Sequence, residues 1–274
     1  MIIDIHNHTN RCNHATGDMG QYIKKAISSG IDIYGFSCHA PIKQNIDPHN
    51  RMPLSDIDEY IKDIKKLKQK YKNSIKILTG FEVDYLTGDY IYDEILNTKV
   101  DYLIGSVHFI PLSSEKYSLF NPKFWGFDNP DFIGQYEDKD IDTIWQNYFD
   151  AVELMAKSKL FDIVGHLDLI KIFGFMPTKD PKSLAQKAIK QIKLSGMSVE
   201  INSAGLRKPI GEQYPSTELL QLCFDMDIPI TFGSDAHNVE HINSGYDICL
   251  KLAKDVGYTK AVYYENRQKI SIKI

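Results

Sequence analysis

The stretch Met1-Ile2-Ile3-Asp4-Ile5-His6-Asn7-His8 decides how the rest of the chain is interpreted. Its isoleucines predict a short buried strand, and His6 and His8 stand two residues apart near its end. Residues i and i+2 of an extended strand point to the same face. The two imidazoles therefore leave the strand side by side, as ligands of a shared metal ion must. The alternative is a polar strand end with two exposed histidines.

Length and composition are those of an ordinary soluble protein. The chain has 274 residues, of which 43% are hydrophobic and 25% charged, enough for one large α/β domain or two small ones. The formal net charge is −4 and there is no sustained basic run, so we expect neither nucleic acid nor an anionic membrane as a partner. No apolar segment approaches the roughly 20 residues needed to span a bilayer.

The cysteines and the apolar start of the chain indicate the cellular compartment. The four cysteines are dispersed, with no Cys-x-x-Cys pair, at positions Cys12, Cys38, Cys223 and Cys249. A strand that begins at residue 2 leaves no room for a secretory signal. We therefore expect reduced thiols in a cytoplasmic protein rather than a disulfide framework.

Short apolar runs alternate with longer amphipathic runs along the chain. The runs predict strands at 2–5, 32–37, 75–80, 101–107, 162–165, 198–202 and 228–233. Helices are predicted at 19–29, 55–71, 89–97, 141–158, 181–195, 216–226 and 246–257. Such alternation implies parallel strands joined by right-handed crossovers. Seven units favour a closed or nearly closed barrel, and a doubly wound open sheet is the alternative.

The region 109–140 interrupts this alternation. It contains three prolines and eight aromatic residues, at Pro111, Pro122, Pro130, Phe109, Tyr117, Phe120, Phe124, Trp125, Phe127, Phe132 and Tyr136. Long loops in compact domains are often lids or binding loops. A surface excursion with its own small hydrophobic cluster is an equal alternative.

Side chains that bind metals follow the predicted strands at corresponding places. They are His6, His8, His14, His39, Glu82, His108, His166, Asp235 and His237, each at a strand's carboxyl end or in the next loop. An α/β barrel builds its active site at that end. Imidazoles and carboxylates brought this close need a cation to hold them together. Nitrogen and oxygen ligands suit zinc, iron or manganese, and nine ligands are about right for three ions.

Six motifs over residues 2–237 resemble those of the polymerase and histidinol phosphatase (PHP) family. They are His-x-His, Ser-Cys-His-Ala-Pro, Gly-x-Glu, Gly-Ser-x-His, Gly-His-x-Asp and Ser-Asp-Ala-His. The resemblance implies one distorted (β/α)7 barrel over 1–274, with an insertion at about 109–140 and three divalent metal ions at the carboxyl ends of the strands. It assigns the first ion to His6, His8, Glu82 and Asp235. It assigns the second to Glu82, His108 and His166, and the third to His14, His39 and His237.

Within that family, residues 200–208 (Glu-Ile-Asn-Ser-Ala-Gly-Leu-Arg-Lys) resemble the histidinol-phosphate phosphatase branch. Arg207 would grip the substrate phosphate through its planar pair of donors, unless it is a surface residue. His241 and Asp168 lie near metal motifs and could touch substrate or orient ligands. Asp235 or His237 could pass a proton to the leaving alkoxide.

The expected activity is metal-dependent hydrolysis of a small phosphate monoester, L-histidinol phosphate, in histidine biosynthesis. Metal ions would lower the pKa of bound water and neutralise charge on the phosphoryl oxygens. One alternative is a related phosphoesterase that acts on a nucleotide or a sugar phosphate. Another is a metal-binding module without catalytic activity.

Overall fold

The computed structural model describes residues 1–111, 124–137 and 139–274. Its strands are β1 Ile3–Asp4, β2 Ile33–Phe36, β3 Lys76–Asp84, β4 Tyr102–Ser106, β5 Phe109–Pro111, β6 Phe124–Gly126, β7 Ile163–Val164, β8 Ser198–Asn202, β9 Ile230–Gly233, β10 Lys260–Glu265 and β11 Gln268–Lys273. Its α-helices are α1 Met19–Ser28, α2 Ile57–Tyr71, α3 Asp93–Asn97, α4 Ile141–Ser158, α5 Pro181–Ser195, α6 Thr217–Asp225 and α7 Tyr246–Val256. None of the helices among these residues is both long and apolar enough to cross a membrane.

Seven parallel strands form the central sheet, in the order β1-β2-β3-β4-β7-β8-β9. Its two outer strands meet, because the Ile5 amide donates to the Phe232 carbonyl at 3.1 Å and the Asp235 amide donates to the His6 carbonyl at 2.7 Å. The predicted barrel is therefore confirmed, and the open sheet is excluded.

Side chains alternate between the inside of the barrel and the helices around it. Ile33 and Tyr102 belong to the inner apolar cluster, whereas their neighbours Tyr34 and Leu103 pack in the cluster that contains the helices. The Tyr102 hydroxyl crosses the interior and donates to the Ile5 carbonyl at 2.6 Å. Strands buried on both faces read as continuous apolar runs, which is why their positions were predictable.

Strand β3 is longer than predicted. Its first half, Lys76–Thr79, pairs with β2, and its second half, Gly80–Asp84, pairs with β4. A Cβ atom at Gly80 would lie 2.5 Å from the Tyr102 ring, so glycine is needed where the strand changes partner. Glu82 consequently lies inside the strand rather than at its end, which corrects the sequence-based placement.

Helix α3 is shorter than the predicted 89–97. Residues ahead of it are held in extended pairing instead, because Ile91 bridges Ile42 and the Lys43 amide donates to the Tyr90 carbonyl at 2.8 Å. Tertiary pairing overrides the helical periodicity at this point.

A C-terminal hairpin of β10 and β11 was not predicted. It covers the amino-terminal end of the barrel, where the Tyr264 hydroxyl donates to the Asp162 carbonyl at 2.9 Å and the Arg267 amide donates to the Asp101 carbonyl at 2.8 Å. Asp162 and Asp101 directly precede barrel strands. The hairpin thus covers the end opposite the histidines.

The insertion has structure of its own in its described part. Strands β5 and β6 form an antiparallel hairpin in which Phe109 pairs with Gly126, and a 3-10 helix follows at Pro130–Tyr136. The predicted Tyr117, Phe120 and Pro122 of this region lie outside the described residues.

Candidate metal centre

The Glu82 carboxylate lies at the centre of the histidine cluster. Its Oε2 atom is 2.9 Å from His39 Nδ1, 3.3 Å from His6 Nε2 and 3.4 Å from His8 Nε2. These residues come from β3, the loop after β2 and the segment after β1. The carboxyl ends of three neighbouring strands therefore meet at one oxygen, as the sequence analysis predicted.

The second oxygen of Glu82 faces the other side of the mouth. Its Oε1 atom lies 2.9 Å from His166 Nε2 and 3.5 Å from His108 Nε2. These histidines follow β7 and β4. One carboxylate thus stands between two groups of imidazoles.

Asp235 extends the first group from the segment after β9, the neighbour of β1 in the closed barrel. Its Oδ1 atom lies 2.9 Å from His8 Nε2, 3.5 Å from His237 Nδ1 and 3.8 Å from His6 Nε2. The His8 and His237 rings stack with their centroids 4.0 Å apart. The segment after β9 therefore reaches the residues after β1.

His14 completes the cluster from the loop before α1. Its ring centroid lies 4.6 Å from that of His237 and 5.3 Å from that of His39. All nine predicted ligands therefore come together. The tightest groups of potential ligand atoms differ in part from the three sets implied by family resemblance, since His8 groups with His39 and His237.

The donor set fits divalent transition metals. Several buried atoms of the cluster contact one another without hydrogen-bond geometry: His6 Nε2, His8 Nε2, His39 Nδ1, Glu82 Oε2 and Asp235 Oδ1. Nitrogen and oxygen atoms that converge without hydrogen-bond geometry are arranged as a metal ion requires. Imidazole nitrogens and carboxylate oxygens are ligands that zinc, iron and manganese accept.

Two further carboxylates orient imidazoles from behind. His6 Nδ1 lies 2.8 Å from Glu200 Oε1, and His108 Nδ1 lies 2.6 Å from Asp84 Oδ1. Such contacts fix the ring and leave the other nitrogen for a metal. Sequence reasoning missed both residues, although Asp84 stands two positions after Glu82, the same spacing as His6 and His8.

Arg51 was also missed. Its guanidinium holds Asp84 with two contacts, Nε to Oδ2 at 2.8 Å and Nη2 to Oδ1 at 3.1 Å, and the residue is only 5% exposed. The bidentate pair orients the carboxylate that in turn orients His108. Nothing in the local sequence around Arg51 indicates this role, because its partner Asp84 lies at the end of β3, far away in the sequence.

The carboxylates and imidazoles of the cluster shift one another's pKa values. Burial lowers the pKa of His8, but the contact with Asp235 outweighs it and raises this pKa to about 9. Burial acts likewise on His108, where Asp84 and Glu82 raise the pKa to about 9. Burial raises the pKa of Glu82, yet the surrounding imidazoles hold it well below its usual value. The Glu82 carboxylate is therefore ionised, as a metal ligand must be.

Arg207 and His241 line a cleft of about 850 Å³ that opens above the cluster. Arg207 Nη2 donates to the Ser234 carbonyl at 2.6 Å, whereas its Nη1 is buried without a hydrogen-bond partner in the described part of the chain. His241 contacts Asn238 through Nε2 at 3.0 Å. Both residues are thus placed where the sequence analysis expected them.

Asp168 lies behind the wall of this cleft. It pairs with the Lys171 ammonium at 3.0 Å and accepts from the Ser216 amide at 2.8 Å. These partners are not predicted ligands, and the suggestion that Asp168 touches substrate or orients a ligand stays a prediction. It holds the chain after His166 to the start of α6.

The insertion supplies part of the opposite wall. Phe109, Phe124, Asp128 and Phe132 line the cleft, and Phe132 is exposed at its rim. The cleft therefore combines a basic side at Arg207, a polar floor of imidazoles and a partly aromatic side.

Comparison with known proteins shows where this arrangement recurs. The PHP domain model matches residues 4–204. A Deinococcus radiodurans protein named "Probable histidinol-phosphatase" is 34% identical over 259 residues, which cover 93% of this chain and 94% of the relative. The "Histidinol-phosphatase" of Bacillus subtilis is 29% identical over 269 residues, which cover 90% of this chain and 98% of the relative.

Two solved structures share the fold along nearly the whole chain. A candidate histidinol phosphatase from Listeria monocytogenes has a TM-score of 0.77 and 26% identity, and the match covers 90% of this chain and 99% of that one. The histidinol phosphate phosphatase of Lactococcus lactis, solved with zinc, L-histidinol and phosphate, has a TM-score of 0.76 and 20% identity, with 98% of each chain covered. At this lower identity the likeness bears on the fold.

Proposed function

This chain belongs to the PHP domain family, and we propose that it is a histidinol-phosphatase of histidine biosynthesis. The reaction is hydrolysis of L-histidinol phosphate to L-histidinol and phosphate. The observation that carries the proposal is the cluster of nine candidate metal ligands beneath a cleft that contains Arg207. Relatives that match over nine-tenths of the chain are named for the same activity.

We propose that the nine residues hold three divalent ions of zinc, iron or manganese. Glu82 would serve two of them, because its two oxygens face different imidazole groups. Bound metal ions lower the pKa of water and neutralise charge on phosphoryl oxygens. The complete set of side chains, together with their orienting partners Asp84 and Glu200, supports a loaded site rather than a vestigial one.

The protein's own residues have three tasks in this reaction. Arg207 positions the phosphate through Nη1, since its Nη2 is already held by the Ser234 carbonyl. Burial of the cluster excludes bulk water and strengthens every electrostatic contact within it. Asp235 or His237 relays a proton from the attacking water to the leaving alkoxide oxygen, and both stand at the cleft.

Phosphate release from a substrate panel tests the function. Histidinol phosphate should have the highest kcat/KM, ahead of nucleotides, sugar phosphates and aryl phosphates. Faster hydrolysis of a nucleotide or sugar phosphate would favour the related phosphoesterase. No release from any substrate by fully metal-loaded protein would favour a binding module. A cytoplasmic location, independence from nucleic acid and one functional unit over 1–274 remain predictions.

A further inference from the structure

The cleft contains a carboxylate, that of Asp128, which stands opposite Arg207 and has no cationic partner of its own among the described residues. We propose that Asp128 is a specificity-determining residue that binds the ammonium group of the substrate. The inference rests on the proposed function, because it concerns the amino-alcohol part of histidinol phosphate.

Asp128 is held rigidly in place. It follows β6 in a turn in which the Asn129 amide donates to the Gly126 carbonyl at 3.3 Å. The preceding Phe127 is fully buried, and its carbonyl accepts from the Tyr136 hydroxyl at 3.2 Å. A side chain on so firmly anchored a turn keeps its direction at little entropic cost when it binds a ligand.

The other half-buried or buried carboxylates of the cleft are already engaged. Glu82 and Asp235 contact imidazoles, and Asp47 lies 3.5 Å from Arg51. Asp128 is half-buried and makes no hydrogen bond or ion pair with any residue in 1–111, 124–137 or 139–274. A partly desolvated carboxylate without a partner is costly unless a ligand compensates it.

The position of Asp128 gives the cleft an acidic side opposite the basic side at Arg207. Asp128 follows β6, whose partner β5 comes directly after β4 and His108, so it stands on the β4 side of the mouth. Arg207 contacts the segment after β9, three strands further around the barrel. A substrate with an anionic phosphate and a cationic amine matches this distribution if the phosphate lies towards Arg207.

The ammonium group fits this carboxylate better than the imidazole does. A primary amine is fully protonated at neutral pH, whereas a free imidazole is largely neutral. The imidazole ring is a flat partner for the aromatic side chains of the same wall, Phe109, Phe124 and Phe132. A charge-assisted ammonium–carboxylate bond corresponds to a factor of about ten to a hundred in kcat/KM.

A cycle of two proteins and two substrates tests the inference. The proteins are the wild type and Asp128→Asn, and the substrates are histidinol phosphate and its deamino analogue, imidazolylpropyl phosphate. The wild type should prefer histidinol phosphate by about ten- to a hundredfold, and Asp128→Asn should remove most of that preference. Metal content and kcat/KM for the deamino analogue should stay nearly unchanged.

Two further variants sharpen the result. Glu137→Gln removes an exposed carboxylate that does not line the cleft and should leave the preference intact. Asp128→Glu keeps the charge and should retain part of it. Equal losses on both substrates, or an unchanged preference in Asp128→Asn, would overturn the inference while the phosphatase function stands. A wild type that does not hydrolyse histidinol phosphate would overturn both proposals.

Discussion

Glu82 presents its two oxygens to five imidazoles, and this makes it the residue on which the centre most depends. Glu82→Gln preserves the volume but removes the negative charge between the two groups. We expect the loss of at least one metal ion and a fall in kcat of at least about a hundredfold. Elemental analysis with steady-state kinetics measures both.

The matched control is Glu240→Gln, whose side chain is 83% exposed and should change neither quantity. Normal turnover with full metal content in Glu82→Gln would refute the shared-ligand role.

Arg207 should position phosphate rather than create the nucleophile, because the metal ions supply most of the positive charge. Arg207→Ala should lower kcat/KM by about ten- to a hundredfold at constant metal content. Arg207→Lys should recover only part of this loss, since an ammonium restores charge but not the planar fork. Full efficiency in Arg207→Ala would make Arg207 a structural residue only.

The cluster of candidate metal ligands was predictable, whereas the residues that orient its imidazoles were not. His6 and His8 can be identified from their spacing and their residue type. Glu200 and Asp84 act through contacts with residues that are distant in the chain, His6 and His108. A buried carboxylate in an apolar strand is the signal that could have identified them, because such a group is rarely buried without a partner.

Among the elements, the insertion admits a direct test. Pro111 pairs with Phe124 at the end of the β5–β6 hairpin, so residues 112–123 can be replaced by Asn-Gly, which favours a two-residue hairpin turn. If residues 112–123 add to the substrate wall formed by the rest of the insertion, KM for histidinol phosphate should rise far more than KM for an aryl phosphate. Equal changes for both substrates would indicate that residues 112–123 take no part in substrate binding.

The elements differ in how far they could be predicted. The barrel strands were found because they are buried on both faces and therefore apolar throughout. The hairpin of β10 and β11 was missed although β10 is a buried apolar run and β11 alternates half-buried and exposed positions, because an antiparallel pair falls outside the alternation of strands and helices that guided the prediction. Its docking depends on the ends of other strands, at Asp101 and Asp162, which no local pattern reveals.

At the scale of the whole molecule, metal content is the first quantity to measure. Fully loaded protein should contain close to three transition-metal ions per chain. A chelator should abolish activity and lower the Tm, because ions that bind the folded state stabilise it, and manganese, iron or zinc should restore both. Full activity with one ion per chain would contradict the trinuclear arrangement.

The pH dependence of stability should change when metal is removed. His8 and His108 have folded-state pKa values of about 9 against an ordinary value of 6.5. A raised pKa stabilises the fold below the unfolded-state value, so metal-free protein should lose free energy of unfolding as pH rises from about 6.5 to about 9. Metal-loaded protein should not show this loss, because metal ions bind deprotonated imidazole. Denaturant titrations across this range would compare the two forms.

The barrel closes between the first strand and the last strand of its sheet, through the Ile5–Phe232 and His6–Asp235 backbone bonds. During synthesis His6 and His8 leave the ribosome well before Asp235, which follows more than two hundred residues later. Joining such distant segments makes folding slow, since most of the chain must be ordered before this contact forms. The centre can therefore be completed only late in synthesis, and a nascent chain exposes its first histidines to whichever metal ions are at hand.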